Sequence, residues 1–414
     1  MIRPAIPPAL ALTLTLTLTL SFSLSAQPDL KPGRWRAALQ RKDGRTIPFT
    51  FEVVRQSNKT SLYIVNGTER IKTEDPVFSQ DSVIIRMPVF ESYFKARITQ
   101  RESLRGVWVS GSATGETTMP FIASAGGSRF PVATAAPRSA QGKWKIEFTR
   151  ANQTKRHAIG DFRQQGNALS GSVLTPSADY RYLDGVVSGD SLFLSTFDGS
   201  HALLLRARIN SDHVTGVFYN GEAATETWLA VKDATVALTP NVTTVKKGSD
   251  GKLAFSFQDL DGNTVSLPSN RFKGKVVIVQ IMGSWCPNCM DEMAFLSDYY
   301  KSNRDRGVEI VALAYELSTD PARSQKSLRK FQTKFDVQYP LLITGATASD
   351  PQRTQKTLPQ LTDLKAFPTT IMLDKNGVVR DIQTSFYGPG AGEYHTKYKA
   401  TFEAAINALL NETL

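Results

Sequence analysis

The sequence predicts a multidomain chain in which a C-terminal α/β domain follows two duplicated all-β domains. Three observations lead there. Short motifs of the first half recur in the same order about 109 residues later. Both copies are rich in short β-prone runs and poor in helical periodicity. From Gly251 onward, continuous apolar runs alternate with helix-like segments, the pattern of βαβ units. A chain of 414 residues has room for this, at roughly 100–200 residues per domain.

The chain begins MIRPAIPPALALTLTLTLTLSFSLSAQPD. Arg3 supplies a positive n-region, Ala9–Leu24 an apolar stretch, and Ser23, Ser25 and Ala26 small residues for cleavage, so residues 1–26 read as a secretory signal peptide. The expected location is periplasmic or otherwise extracytoplasmic after cleavage, and membrane-anchored if the signal is retained. No later segment is apolar enough to span a membrane, and no stable anchor is expected.

The two β-domains are expected at 27–125 and 140–235. Gly33-Arg34-Trp35-Arg36 matches Gly142-Lys143-Trp144-Lys145, and Asp81-Ser82-Val83 matches Asp190-Ser191-Leu192. Ala96-Arg97-Ile98 matches Ala207-Arg208-Ile209, and Gly106-Val107-Trp108 matches Gly216-Val217-Phe218. A period this long marks a duplicated domain rather than a solenoid. In the first copy, Ile47–Val54, Ser61–Val65, Ser82–Met87, Phe94–Thr99, Val107–Ser110 and Thr118–Ile122 are the β-prone runs, separated by Gly, Asn, Asp and Ser. Small antiparallel barrels or sandwiches fit this pattern. The opening Gly-x-Trp resembles small lipocalin-like barrels, with Trp35 and Trp144 as floor residues of the core or as ligand contacts. Ala123–Ala140 and Asp233–Gly248 read as linkers.

In the last domain, 248–414, Val276–Met282 reads as a buried strand. It runs into Gly283-Ser284-Trp285-Cys286-Pro287-Asn288-Cys289 and a helix to about Asn303. Val308–Tyr315 is a second buried strand. Pro321 starts a helix that continues over Ala322–Phe335. Thr370–Leu373 and Val378–Ile382 form a hairpin around Lys375-Asn376-Gly377. His395–Leu410 is an amphipathic helix with Tyr394, Tyr398, Phe402 and Ile406 along one stripe. The stretch from Ile343 to Leu364 reads as a long loop that could shape a groove. A βαβ unit followed by a hairpin and a closing helix is the thioredoxin arrangement.

Composition narrows the chemistry. Only two cysteines and four scattered histidines occur. A disulfide scaffold, a four-thiolate metal site and a dedicated metal site are therefore not expected, and neither is a cofactor. The net charge is +11, of which +8 lies before Lys246, without a basic run or a nucleic-acid motif. No nucleic-acid partner is expected.

Cys286 and Cys289 form a Cys-x-x-Cys pair at a strand–helix junction. That spacing puts one thiol at the helix start, near free N–H groups and the positive end of the helix dipole, which favour the thiolate. Thiolate is the species that attacks a disulfide. Cys286 is thus the expected nucleophile and Cys289 the resolving thiol, together a redox-active disulfide. Pro287 suits the first helical turn. A haem attachment motif would need His where Met290 stands.

Gly274-Lys275-Val276-Val277-Ile278-Val279, Ser284-Trp285-Cys286-Pro287-Asn288-Cys289 and Glu292, with Phe367-Pro368-Thr369-Thr370 and Leu373-Asp374-Lys375-Asn376-Gly377, resemble the TlpA/ResA branch of thioredoxin-like proteins. The resemblance covers about Gly248 to Leu414. It implies an extracytoplasmic thiol–disulfide oxidoreductase that acts on protein disulfides and draws electrons from a membrane thiol donor of the DsbD/CcdA kind. Targets such as apocytochrome c are common in that family. It assigns Pro368 as a cis-proline facing the thiols, with Trp285, Pro287, Phe367 and Thr369 around the substrate. It matches Glu316 to an acidic residue beneath the site, a pKa-tuning group and proton shuttle. An exposed loop-start glutamate is the plainer alternative. Glu292 is expected to cap or pair within the helix.

A disulfide reductase is the first reading. A ligand- or partner-binding protein, in which the β-region is primary and the thiols subsidiary, is the alternative. Peroxidase activity fits poorly. Peroxiredoxins carry Thr or Ser three residues before the cysteine and Pro seven before, where this chain has Gly283 and Val279.

Overall fold

The computed structural model describes residues 29–57, 59–239 and 242–413. The expected signal peptide at 1–26 lies outside them. Among the described residues, no helix is long and apolar enough to cross a membrane.

The first unit, from Gly33–Gln40 to Gly115–Ala125, is a nine-stranded antiparallel sheet. Its first strand pairs with both the second and the ninth, so the sheet curls while its outermost strands, Glu69–Lys72 and Val77–Ser79, stay unpaired with each other. The second unit, from Gly142–Arg150 to Ala224–Lys232, is a closed eight-stranded barrel. Its first and last strands pair over Trp144–Arg150 and Glu226–Lys232. Closure removes both sheet edges. The whole N-terminal region is therefore all-β, in one curled sheet and one barrel.

The two units share a few contacts at corresponding positions. The indole N–H of Trp35 donates to the carbonyl of Lys31 at 2.9 Å, and that of Trp144 to Ala140 at 2.8 Å. Both rings are buried in their own cores. Asp81 pairs with Arg97 at 2.5 Å and Asp190 with Arg208 at 2.7 Å. A Cβ at Gly106 would run into the carbonyl of Lys95, and one at Gly216 into that of Arg206. Each position needs glycine because the neighbouring strand crosses so closely.

The units are not beads on a linker. Phe197, at the end of a barrel strand, stacks on Phe49 of the curled sheet with centroids 4.5 Å apart and also meets Phe94 and Trp108. Part of the expected linker Ala123–Ala140 completes a strand, and the rest buries Phe130 and Arg129. Arg129 donates to Ser195 of the barrel at 2.8 Å and to the carbonyl of Val65 in the curled sheet. Burial pulls its guanidinium down to about 10, with Asp184 opposing.

The C-terminal domain is thioredoxin-like. In its seven-stranded sheet the strand next to the middle one is Val276–Met282, which is buried throughout. That strand runs parallel to Val308–Ala314 and antiparallel to Thr369–Leu373, which pairs with Val379–Gln383. Helices α1 (Pro287–Asn303), α2 (Pro321–Phe335), α3 (Arg353–Thr357) and α4 (Glu393–Asn411) complete it. Tyr398, Phe402 and Ile406 of α4 are buried, as its apolar stripe requires.

In this domain, three strands escape the sequence reading. Phe255–Asp259 and Thr264–Leu267 form an edge hairpin, and Leu341–Ile343 adds a third parallel strand beside Ala312–Ala314. The presumed loop after Ile343 contains α3.

The curled sheet packs on this domain. Phe90 meets Phe331 edge-on, while Glu91 accepts from Arg323 and Ser327 of α2.

Candidate active site

Cys286 is the N-cap of α1, in extended backbone conformation, after the short turn that follows Val276–Met282. Pro287 occupies the first helical position, where a missing N–H costs nothing. The N–H of Cys289 donates to the Sγ of Cys286 at 3.2 Å, a contact that strengthens when the sulfur is ionised. Both thiols are free, with Cys286 5% exposed and Cys289 fully buried. Burial pushes the Cys289 thiol well up; the neighbouring Cys286 and the charge of Glu292 add to that. The pair is thus asymmetric, one sulfur at the rim of the site and one sealed behind it.

The Phe367–Pro368 peptide is cis, and the carbonyl of Phe367 lies 3.7 Å from Cys286 Sγ. Trp285 packs edge-on against Phe367 at 5.6 Å, and its indole N–H donates to the carbonyl of Tyr315 at 2.9 Å. Gly283 lies directly under that indole, where a side chain would clash with it. Thr369 sits in the strand opposite Ile281 with its side chain fully buried, donating to the carbonyl of Ala366 at 2.8 Å. Its hydroxyl therefore braces the proline loop and does not face outward as the substrate-contact expectation would have it.

Glu316 is buried, not an exposed loop residue. It accepts the N–H of Ser284 at 2.8 Å and the Ser284 hydroxyl, and touches neither sulfur. Burial pushes its carboxyl up to about 7 against the pull of those two bonds.

Glu292 departs further from expectation. It neither caps nor pairs along the helix. It lies 1% exposed beneath the site and accepts from Gln280 at 2.8 Å, Thr370 at 2.7 Å and Tyr398 at 3.3 Å. Burial pushes it, too, to about 7. Of these two carboxyls it is Glu292 whose charge reaches the Cys289 thiol.

Sequence reasoning missed the contribution of the β-units altogether. Arg181, on a barrel loop and 3% exposed, donates to the carbonyl of Pro287 at 2.9 Å. It pairs with Asp291 of α1 at 2.5 Å and with Glu69 of the curled sheet. Ser200 of the barrel donates to the carbonyl of Trp285 at 2.9 Å. Asp179 accepts the N–H of Gly388 at 2.6 Å. The carbonyls on both sides of Cys286 are therefore held by barrel side chains. No local signal could have marked Arg181, because its partners lie more than 100 residues away in sequence in either direction.

The Redoxin family model matches residues 240–393. Among curated proteins, the chain is similar to "Thiol-disulfide oxidoreductase ResA" of Bacillus thuringiensis subsp. konkukian (strain 97-27), at 29% identity over 31% of this chain and 65% of that protein. It is also similar to "Thioredoxin-like protein YneN" of Bacillus subtilis (strain 168), at 30% identity over 31% of this chain and 66% of that one. The chain thus spans just under two thirds of the length of the curated relatives it matches. A solved thiol:disulfide interchange protein of the thioredoxin family, from Chlorobium tepidum TLS, aligns with 39% of this chain and 96% of its own at 21% identity, with a TM-score of 0.29.

Proposed function

We propose, from the premise that residues 240–393 form a Redoxin domain, that this chain is an extracytoplasmic thiol–disulfide oxidoreductase that reduces protein disulfides. The observation that carries the reading is the asymmetric pair: Cys286 at the helix start, receiving the N–H of Cys289 and adjoining the cis-proline loop, with Cys289 buried one turn in.

In the reaction, the Cys286 thiolate attacks one sulfur of the substrate disulfide. That S–S bond breaks, a Cys286–substrate mixed disulfide forms, and the departing thiolate takes up a proton. Cys289 then loses its proton and attacks Cys286 Sγ, which forms the Cys286–Cys289 disulfide and releases the second substrate thiol. Two electrons pass from enzyme to substrate. With no third cysteine in the chain, an external dithiol donor of the membrane thiol-transporter class restores the reduced pair.

Pro368, Trp285, Pro287 and Phe367 frame the substrate, and Thr369 positions the proline loop. Glu316 acts through Ser284 and Glu292 through its charge on Cys289. Export rests on residues 1–26, read as a signal peptide. The units at 27–125 and 140–235, read as duplicate lipocalin-like copies, hold the 248–414 domain from one side. The matched tryptophan, Asp–Arg and glycine contacts of the two units support duplication.

Insulin reduction with a dithiol reductant tests the activity. Wild type is expected to accelerate precipitation of the B chain and Cys286→Ser to match the uncatalysed reaction. Equal rates for both proteins would sink the proposal.

A further inference from the structure

The β-units cover the start of α1. Cys286 is 5% exposed and Asn288 7%, and Pro287 between them is buried as well. Two turns of the barrel make the cover. Arg181 donates to the carbonyl of Pro287 and Ser200 to that of Trp285, each at 2.9 Å. Both turns are built for these positions. Arg181 has a left-handed backbone, with φ at 54°, which a residue with a Cβ adopts only at a cost. The carboxylate of Asp179 fixes it there by accepting the N–H of Arg181 at 2.5 Å, and it accepts the N–H of Gly388 in the C-terminal domain at 2.6 Å. In the second turn, Asp198 accepts the N–H groups of Ser200 at 2.8 Å and His201 at 2.6 Å. Gly199, at φ 96°, lies against Met87 of the curled sheet, where a Cβ would not fit. Ser92 of that sheet donates to the Gly199 carbonyl.

The seam along which this cover parts runs beside the thiols. The two β-units are joined to each other by aromatic stacking, with Phe197 on Phe49 at 4.5 Å. Toward the C-terminal domain the ring contact is looser, Phe90 against Phe331 at 6.4 Å. The contacts beside the thiols are hydrogen bonds and an ion pair, those of Ser200 and of Arg181 with Pro287 and Asp291. Polar interfaces of this kind let domains move relative to one another, whereas a tightly packed apolar junction holds them. The β-units therefore move as one body, away from α1.

We propose that the Arg181 and Ser200 turns set the size of disulfide that the thiol pair accepts: a disulfide within a folded protein reacts only after both residues release the carbonyls beside Cys286 and the β-units lift. The proposal rests on the oxidoreductase reading and makes Arg181 and Ser200 specificity-determining residues of that reaction. A small disulfide needs only a local parting at the half-buried rim of Trp285 and Phe367. A protein surface needs the whole seam open, which breaks more contacts and is the rarer event. Lifting also uncovers Pro287, which is closed off from any protein substrate while Arg181 stays docked. Weakening either turn therefore favours the bulky substrate over the small one.

The test uses the full chain, reduced and freed of reductant, and mixes it with hydroxyethyl disulfide or with insulin. Oxidation of the Cys286–Cys289 pair is followed by acid quench, alkylation and intact mass. Ser200→Ala removes one bond of the cover, and Arg181→Lys weakens the other while keeping the charge. Each is expected to raise the ratio of the insulin rate to the small-disulfide rate about fivefold, the worth of one hydrogen bond. A change in thiol reactivity moves both rates together and leaves that ratio where it was. A ratio unchanged or lowered in both variants would overturn the role of the cover. Failure of the wild type with both disulfides would instead remove the oxidoreductase reading itself.

Discussion

Arg181, on a loop of the closed barrel, donates to the carbonyl of Pro287, inside the Cys-x-x-Cys motif, at 2.9 Å. The same guanidinium pairs with Asp291 on α1 and Glu69 on the curled sheet, so one buried cation ties all three domains together at the thiols. These carboxylates raise its pKa although burial works against them. Removing one member of a buried ion group leaves the others uncompensated, at a cost of about 3–5 kcal/mol. Arg181→Met is therefore expected to lower global stability by about that amount in urea titration. Arg181→Lys, which keeps the charge but not the fork, should recover only part of it. An unchanged midpoint for Arg181→Met would show that the triad does not hold the domains.

The two thiols should fail differently when each is replaced. Cys289→Ser leaves the outer sulfur able to attack but nothing to resolve the product, so a covalent mixed disulfide with the substrate accumulates. Cys286→Ser leaves only a fully buried thiol and should form no adduct. Intact-mass measurement after exposure to oxidised glutathione reads both directly. An adduct on Cys286→Ser but not on Cys289→Ser would reverse the assignment of roles.

How much of this was legible depends on how local each feature is. Val276–Met282 could be read because seven consecutive apolar or buried positions lie in one run, and the motif that follows announces its own helix through Pro287. Leu341–Ile343 could not. Three residues carry no periodicity, and they become a strand only by pairing with Ala312–Ala314, nearly 30 positions earlier. Short motifs recur between the two β-units, yet one unit closes and the other only curls. That difference lies in whether the outermost strands meet, which no short motif encodes. Glu292 was misread because its position on a helix suggests capping, whereas Gln280, Thr370 and Tyr398 come from three other elements. The resemblance places Thr369 beside the substrate because it follows the cis-proline, and the strand pairing with Ile281 that buries its hydroxyl is invisible in the motif.

Gly283 offers a test of the packing under Trp285. Its backbone is ordinary, but a Cβ there would collide with the indole ring. Gly283→Ala should force the ring off Tyr315 and Phe367, breaking the 2.9 Å indole bond. A cost of about 1–3 kcal/mol in stability is expected from overpacking, together with a red-shifted tryptophan emission. An unshifted spectrum with wild-type stability would show that the indole does not rest there.

The buried carboxyls predict an unusual pH dependence. Glu292 titrates at about 7 in the folded chain against about 4.3 when unfolded. Between those values the folded state keeps a proton that the unfolded state has lost. Its contribution is fully present below pH about 4, falls as pH rises through that window and levels off above about 7, a loss on the order of 3 kcal/mol. Glu316, also at about 7, acts in the same direction. Glu292→Gln removes the titration while keeping an amide that can bond to Gln280, Thr370 and Tyr398, so its melting temperature should fall less than that of wild type between pH 5 and pH 8. Glu316→Gln, away from the sulfurs, should share this flattening. Only Glu292→Gln should also move the pH profile of Cys289 resolution toward acid, because only Glu292 places charge on that thiol. Thermal melts across the pH range, with single-turnover release of substrate thiol, separate the two carboxyls. A steeper melt profile in Glu292→Gln, or an acid shift confined to Glu316→Gln, would exchange their roles.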